Sequence, residues 1–247
     1  MRVAVVIPSY RVRDQILSVL SSIGYEATKI YVVDDKCPDR SGYLVKESCR
    51  DPRVEVIFQE QNEGVGGATL RGFLAAAEAG FEIVVKLDGD GQMDPALIPR
   101  IVRPIREHKA DYVKGNRFFS PRSVSAMPPV RLLGNAGLSF LAKMTTGYWS
   151  IMDPTNGLVA MHTSLLPLLE TEKIARRYFF ENDLLFRLGL LRAMVVDVPM
   201  RAVYGDEKSN LSVVNSLMIF PGKFALRFLK RIGYRYFLRD FNVGSVL

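Results

Sequence analysis

An α/β fold, with a mainly parallel sheet and helices on both faces, is the fold class that the sequence predicts. Three observations point to it. Strand-like apolar runs alternate with segments of helical periodicity over the first half of the chain. The strands read as near-continuous apolar runs, the mark of strands buried on both faces. Polar clusters follow five strands in turn: PSYR, DDKCPD, EQNEGVGG, DGDGQ and GNR. Ligands of open parallel sheets bind beyond the carboxyl ends of the strands, so these clusters predict one shared site.

Residues 3–7 form the first strand, an apolar run closed by Pro8 and too short for the core of a signal peptide. Ile16, Leu17, Leu20 and Ile23 then recur at helical spacing, predicting a helix over 13–23. Strands follow at 29–33 and 54–59, separated by a helix at 41–49. An Ala- and Leu-rich helix spans 67–79, and a strand spans 81–87. Asp94 and Pro95 are suited to the N-cap and first position of a helix over 95–107. A strand at 111–115 completes the regular half. The second half predicts helices at 132–146 and 179–191, strands at 157–161 and 193–198, and a polar loop at 201–211. A basic amphipathic stretch runs over 217–238. The expected organisation is one catalytic domain over residues 1–210 and a basic C-terminal segment over 211–247.

Composition narrows the chemistry. The chain has 247 residues, two cysteines and two histidines. Cys37 and Cys49 fit no metal-ligand spacing and are expected to be free thiols; so few histidines leave carboxylates as the expected catalytic groups. The net charge is +7, but residues 221–247 hold six basic residues and one acid, so they carry +5 of it. A nucleic-acid binder would spread its charge over the body, so nucleic acid is not an expected partner. No apolar run reaches the roughly 18 residues of a spanning helix. The closing FNVGSVL reads either as a frayed end or as the first turns of a membrane helix.

In KLDGDGQMD, Asp88, Asp90 and Gln92 stand two apart and would face one side of an extended chain. Three such oxygen donors suit a hard cation, Mg2+ or Mn2+; the competing reading is a polar turn with solvated acids. Asp34 and Asp35 end the second strand, where an acid either bonds a ribose or base edge or caps the next helix. The first loop, PSYRVR, lacks the G-x-G-x-x-G of a dinucleotide site. Gly64, Gly66 and Gly67 come after the third strand instead, where they permit tight packing at the start of the Ala-rich helix.

The order IPSY, VVDD-x-x-PD, NEGVGGA, LDGDGQ-x-DP, KGNRF, DPTNG, FFENDLLFRL and VPMRAVYGDEKSNL resembles the family 2 glycosyltransferases of GT-A fold. It is most similar to their dolichol-phosphate mannosyltransferase-like, polyprenyl-phosphate branch, over roughly residues 1–211. The resemblance implies that Pro8, Tyr10 and Asp35 line the nucleobase and ribose pocket. Asp88, Asp90 and Gln92 match the D-x-D-x-Q metal motif, with Asp88 also at the nucleotide. Arg117 would contact phosphate, and Arg201 and Lys208 match a basic loop over the active site. There are departures: KCPD stands where the family has a small polar pair, and Gly89 is the centre of D-x-D. FFENDLL lacks the Glu-Asp dipeptide of enzymes that glycosylate hydroxyls. Glu181 falls at the position of the base and Asp183 two residues on, so both are candidates.

The implied reaction is inverting, metal-dependent transfer of a sugar from a UDP- or GDP-linked donor. The expected acceptor is a polyprenyl phosphate, which is largely dianionic at neutral pH and hardly needs a base. The alternatives are a saccharide hydroxyl in polysaccharide synthesis, or an inactive membrane-associated scaffold. The basic amphipathic tail predicts an anionic membrane surface as a partner. The expected location is the cytoplasmic face of the membrane, peripheral or anchored by a further C-terminal segment; a helix packed on the domain is the competing reading of the tail.

Overall fold

The fold comes from a computed structural model and is described for residues 1–119, 129–200 and 213–239. Seven strands form one sheet: β1 (Val3–Ser9), β2 (Lys29–Asp34), β3 (Val54–Phe58), β4 (Ile83–Lys86), β5 (Tyr112–Asn116), β6 (Val159–His162) and β7 (Val195–Pro199). Their order across the sheet is β3-β2-β1-β4-β6-β5-β7. All neighbours run parallel except β6, which is antiparallel to both β4 and β5. The carboxyl ends of the other six strands therefore share one edge with the amino end of β6. This reversal delivers the DPTNG segment to the same edge as DGDGQ.

Strand periodicity builds two cores. Val3, Val5 and Ile7 of β1 point to one face, where Ile30, Val32, Ile83 and Val85 join them. Helices α1 (Ile16–Ser22), α2 (Ser41–Ser48) and α4 (Ile98–Arg106) cover that face. Ala4 and Val6 point to the other, under Phe73 of α3 (Val65–Glu78) and Leu184 and Leu188 of α6 (Phe180–Leu191). The region predicted as one helix over 95–107 starts as a 3-10 turn, Pro95–Leu97, with Asp94 Oδ1 accepting from the Ala96 N–H at 2.9 Å. The predicted packing role of the glycines holds at Gly66, where a Cβ would lie 2.7 Å from both the Ala175 carbonyl oxygen and Phe180 Cβ.

A third small core lies beside α6. Helix α5 (Pro129–Thr146) and helix α7 (Val213–Ile232) meet there, and α7 continues into a π-helical turn, Gly233–Arg239. Phe179 stacks edge-on against Phe220 and Phe224 of α7, with centroids 5.3 and 5.1 Å apart. The described part of the basic C-terminal segment is thus seated on the body of the protein through Phe220 and Phe224.

Candidate active site

The chain after β4 turns, so Asp88, Asp90 and Gln92 do not lie along an extended strand as expected. A turn occupies Gly89 and Asp90, Gly91 takes a φ of +76°, and Asp90 Oδ1 accepts from the Gln92 N–H at 3.0 Å. At Gly89 a Cβ would come within 3.1–3.2 Å of side-chain carbons of Ile7, Val12 and Ile16. A side chain at the centre of D-x-D would thus be tightly packed here. Among the described residues no three His, Cys, Asp or Glu side chains gather as a metal cage. The two carboxylates of this turn offer hard oxygen donors for a cation that keeps other positions for phosphate, the way Mg2+ is commonly held. Gly157 makes room for the Asp88 and Lys86 side chains: a Cβ there would collide with Asp88 Oδ2 and lie 2.7 Å from Lys86 Nζ.

Lys86 was not anticipated as a site residue. It sits at the end of β4 with its side chain 1% exposed, and its Nζ lies 2.7 Å from Asp88 Oδ1, 3.2 Å from Glu181 Oε1 and 3.3 Å from the Gly157 carbonyl. Burial opposes its charge, but Asp88 and Glu181 outweigh burial and raise its pKa. Burial raises the Glu181 carboxyl, against the pull of Lys86. Glu181 begins α6 in FFENDLL and is buried against this lysine; the two motifs expected to meet do meet, through Lys86.

Asp183 is not at this site. It is fully buried, with Oδ1 accepting from Arg227 Nε and Oδ2 from the Ala175 N–H, both at 2.8 Å, and with Arg187 Nε 3.8 Å away. Its carboxylate ties α7 and the segment before α6 together, and its observed bonds are those of an anchoring residue.

Asp35 also has its bonds inside the protein. Its oxygens accept from the Glu63 and Gly64 N–H groups at 2.7 and 2.8 Å, at the entry to α3, and the residue is 2% exposed. Burial raises its pKa against those two bonds. Asp34 accepts from the Cys37 and Gly42 N–H groups. The bond of Asp34 to the first turn of α2 fits the helix-capping alternative, whereas Asp35 holds the loop ahead of α3, and the ribose contact expected of Asp35 has no support in these bonds. Pro8 and the exposed Tyr10 lie at the end of β1, on the edge where the polar clusters gather.

Arg117 follows β5 and grips buried Asp153 with two bonds, Nε at 2.7 Å and Nη2 at 2.6 Å. Asp153 takes a left-handed φ of +54°. Burial works against its ionisation, but Arg117 prevails and lowers its pKa. Lys114, buried in β5, donates to the Met152 carbonyl at 2.7 Å and to that of Asp153. Asp197 Oδ2 accepts from Asn116 Nδ2 and the Met152 N–H. This network fixes the loop that carries Gly157. A sequence signal for it exists: Lys86 and Lys114 are lysines inside otherwise apolar strands, and a lysine is fully buried only when paired. Arg201, Lys208 and the polar loop around them lie outside the described residues.

The family is decided by the match of residues 4–167 to the model of Glycosyl transferase family 2. The chain belongs to this family and is a glycosyltransferase. It is 31% identical over 215 residues to a UDP-N-acetylglucosamine–dolichyl-phosphate N-acetylglucosaminyltransferase of Methanococcus voltae, covering 81% of this chain and 85% of that one. It is 27% identical to an undecaprenyl-phosphate mannosyltransferase of Micrococcus luteus, covering 89% and 92%. The fold is that of glucosyl-3-phosphoglycerate synthase from Mycobacterium tuberculosis, solved with Mn2+, UDP-glucose and phosphoglyceric acid. That likeness has a TM-score of 0.63 at 20% identity, covering 94% of this chain and 80% of that one. The GT-A fold expected from the motif order is therefore the fold observed.

Proposed function

We propose that this glycosyltransferase moves a sugar, with inversion, from a UDP- or GDP-linked donor to the phosphate of a polyprenyl phosphate. The observation that carries this is the ion pair of Glu181 with buried Lys86. A hydroxyl acceptor needs a general base, and the acid at the expected position is already matched to an ammonium. A lipid phosphate, with a second pKa of about 6, brings its own negative oxygen. That oxygen bonds the anomeric carbon as the bond to the donor diphosphate breaks, and the electron pair leaves with the diphosphate. Asp88, Asp90 and Gln92 would hold Mg2+ or Mn2+, which supplies charge stabilisation for the departing diphosphate. Pro8 and Tyr10 would border the nucleoside. Arg117, aligned by Asp153, would meet phosphate, with Arg201 and Lys208 proposed to do so from the loop beyond β7. The names of the relatives from Methanococcus and Micrococcus support the same acceptor class.

The test is thermal unfolding with UDP or GDP, with and without Mn2+. At 100 times Kd a ligand adds about 2.7 kcal/mol, which for a chain of this size raises Tm by roughly 5–10 °C. We expect one diphosphate to do this only with Mn2+, and Asp90→Ala to abolish the rise. Transfer of labelled sugar to polyprenyl phosphate and not to free saccharides completes the test. No metal-dependent rise with either nucleotide removes the reading and favours a scaffold.

The acceptor places the protein at a membrane, and we propose that the C-terminal helices lie on an anionic lipid surface at the cytoplasmic face. No helix among the described residues is long and apolar enough to cross a membrane. Leu229 is 65% exposed and Leu238 78%, with Leu226 and Phe237 also exposed, and Lys223, Lys230 and Arg235 interleave with them. Such a surface gains about 1 kcal/mol per basic residue near anionic lipid. Flotation with vesicles rich in phosphatidylglycerol is expected to carry the protein at low salt and release it at high salt. Leu229→Asp with Phe237→Asp is expected to lower the bound fraction at least tenfold, and binding that ignores both salt and these substitutions would refute the surface.

A further inference from the structure

Lys86 contributes a fixed positive charge to the place where the cation is proposed. Its neighbours Val84, Val85 and Leu87 are fully buried, and the three ammonium hydrogens are matched by three acceptors, on Asp88, Glu181 and Gly157. Two carboxylates thus share one ammonium. Asp88 meets it through Oδ1, while its Oδ2 packs against Gly157, where a Cβ would collide with it. A divalent cation on Asp88 would take over a carboxylate that now balances the lysine, and would stand close to a like charge.

We propose that Lys86 is a positioning residue that competes with the divalent cation for Asp88, and that Glu181 sets the strength of that competition by drawing the ammonium away. The proposal rests on the reading of Asp88 and Asp90 as holders of the cation. It assigns Glu181 a task that involves no proton transfer, and it makes two changes at one buried cluster act in opposite directions. Removing the charge of Glu181 leaves the ammonium to Asp88 alone, so the cation binds more weakly. Removing both charges frees Asp88, so the cation binds more tightly. A residue that only fills space would move stability without this change of sign.

The experiment titrates Mn2+ into the full chain with UDP, and in parallel with GDP, and reads free Mn2+ by electron paramagnetic resonance. The variants are Glu181→Gln and the double variant Lys86→Met, Glu181→Gln. Lys86→Met alone would strand Glu181 unpaired in the interior, and the double variant avoids that. Changes in partners around a metal ligand shift affinity by about tenfold or more. We expect Glu181→Gln to bind Mn2+ about tenfold more weakly than the wild type and the double variant to bind it more tightly than the wild type. An affinity of Glu181→Gln no weaker than that of the wild type, or a double variant no tighter than the wild type, overturns the proposal. If wild type binds no Mn2+ with either nucleotide, the cation site itself falls, together with the proposed function; that result is distinct from the other two.

Discussion

Replacing Asp183 by alanine is expected to lower stability by about 3–5 kcal/mol, the range for stripping one partner from a buried charge pair. For a chain of this length that is a fall in Tm on the order of 10 °C. Two groups lose an acceptor at once, and a third loses a nearby charge. Arg227 Nε and the Ala175 N–H each lose an acceptor at 2.8 Å, and Arg187 loses the carboxylate 3.8 Å away. The Arg227 guanidinium, its side chain 18% exposed, is then left beside Arg187 without its carboxylate, while Arg187 keeps Glu170 at 3.3 Å. The damage centres where α7 meets α6, so the Phe179, Phe220 and Phe224 cluster loosens with it. Thermal unfolding read by tryptophan fluorescence and far-UV circular dichroism measures this directly. A Tm unchanged within 2 °C, combined with loss of sugar transfer, would return Asp183 to the role of catalytic acid or base.

The strands were legible because their burial is written into consecutive residues. The apolar run of β1 covers both faces of the sheet and lies wholly in the core. The direction of β6 was not legible, because a buried strand of four residues carries the same pattern whichever way it runs. That direction decides that Gly157 arrives beside Asp88. The D-x-D turn and the acid of FFENDLL were legible as motifs. Their partners were not: Arg117 finds Asp153 across 36 residues and Asp183 finds Arg227 across 44. Such pairings follow from packing that no local spacing encodes. The amphipathic period of α7 announced a helix, but only the Phe179 cluster shows which of its aromatic residues face inward. The acids of VVDD carried two meanings in sequence. The Gly42 amide chooses capping for Asp34, and the Glu63 and Gly64 amides give Asp35 the loop ahead of α3 instead.

The same reasoning assigns Gly157 an effect out of proportion to its size. Gly157→Ala adds one methyl group where Lys86 Nζ would be 2.7 Å away, Met93 Cε 2.9 Å away and Asp88 Oδ2 in collision. Met93 is flexible and can swing aside. Lys86 cannot, because Asp88 and Glu181 hold it, so the methyl group displaces the Asp88 carboxylate from its ammonium. Overpacking of this kind costs about 1–3 kcal/mol, and the chain is expected to stay folded. Catalysis is expected to suffer more, because a shift of about 1 Å in a positioned group lowers rate on the order of 100-fold. The expected result is therefore a folded protein whose sugar transfer falls about 100-fold and whose Mn2+-dependent stabilisation by nucleotide is lost. Gly189→Ala is the control: its Cβ would press on the Thr146 carbonyl, outside the Lys86 cluster. It is expected to lower Tm while retaining the Mn2+ effect. If Gly157→Ala kept full transfer and full metal-dependent stabilisation, Asp88 would not be a ligand whose position matters, and the cation would have to be held by Asp90 without it.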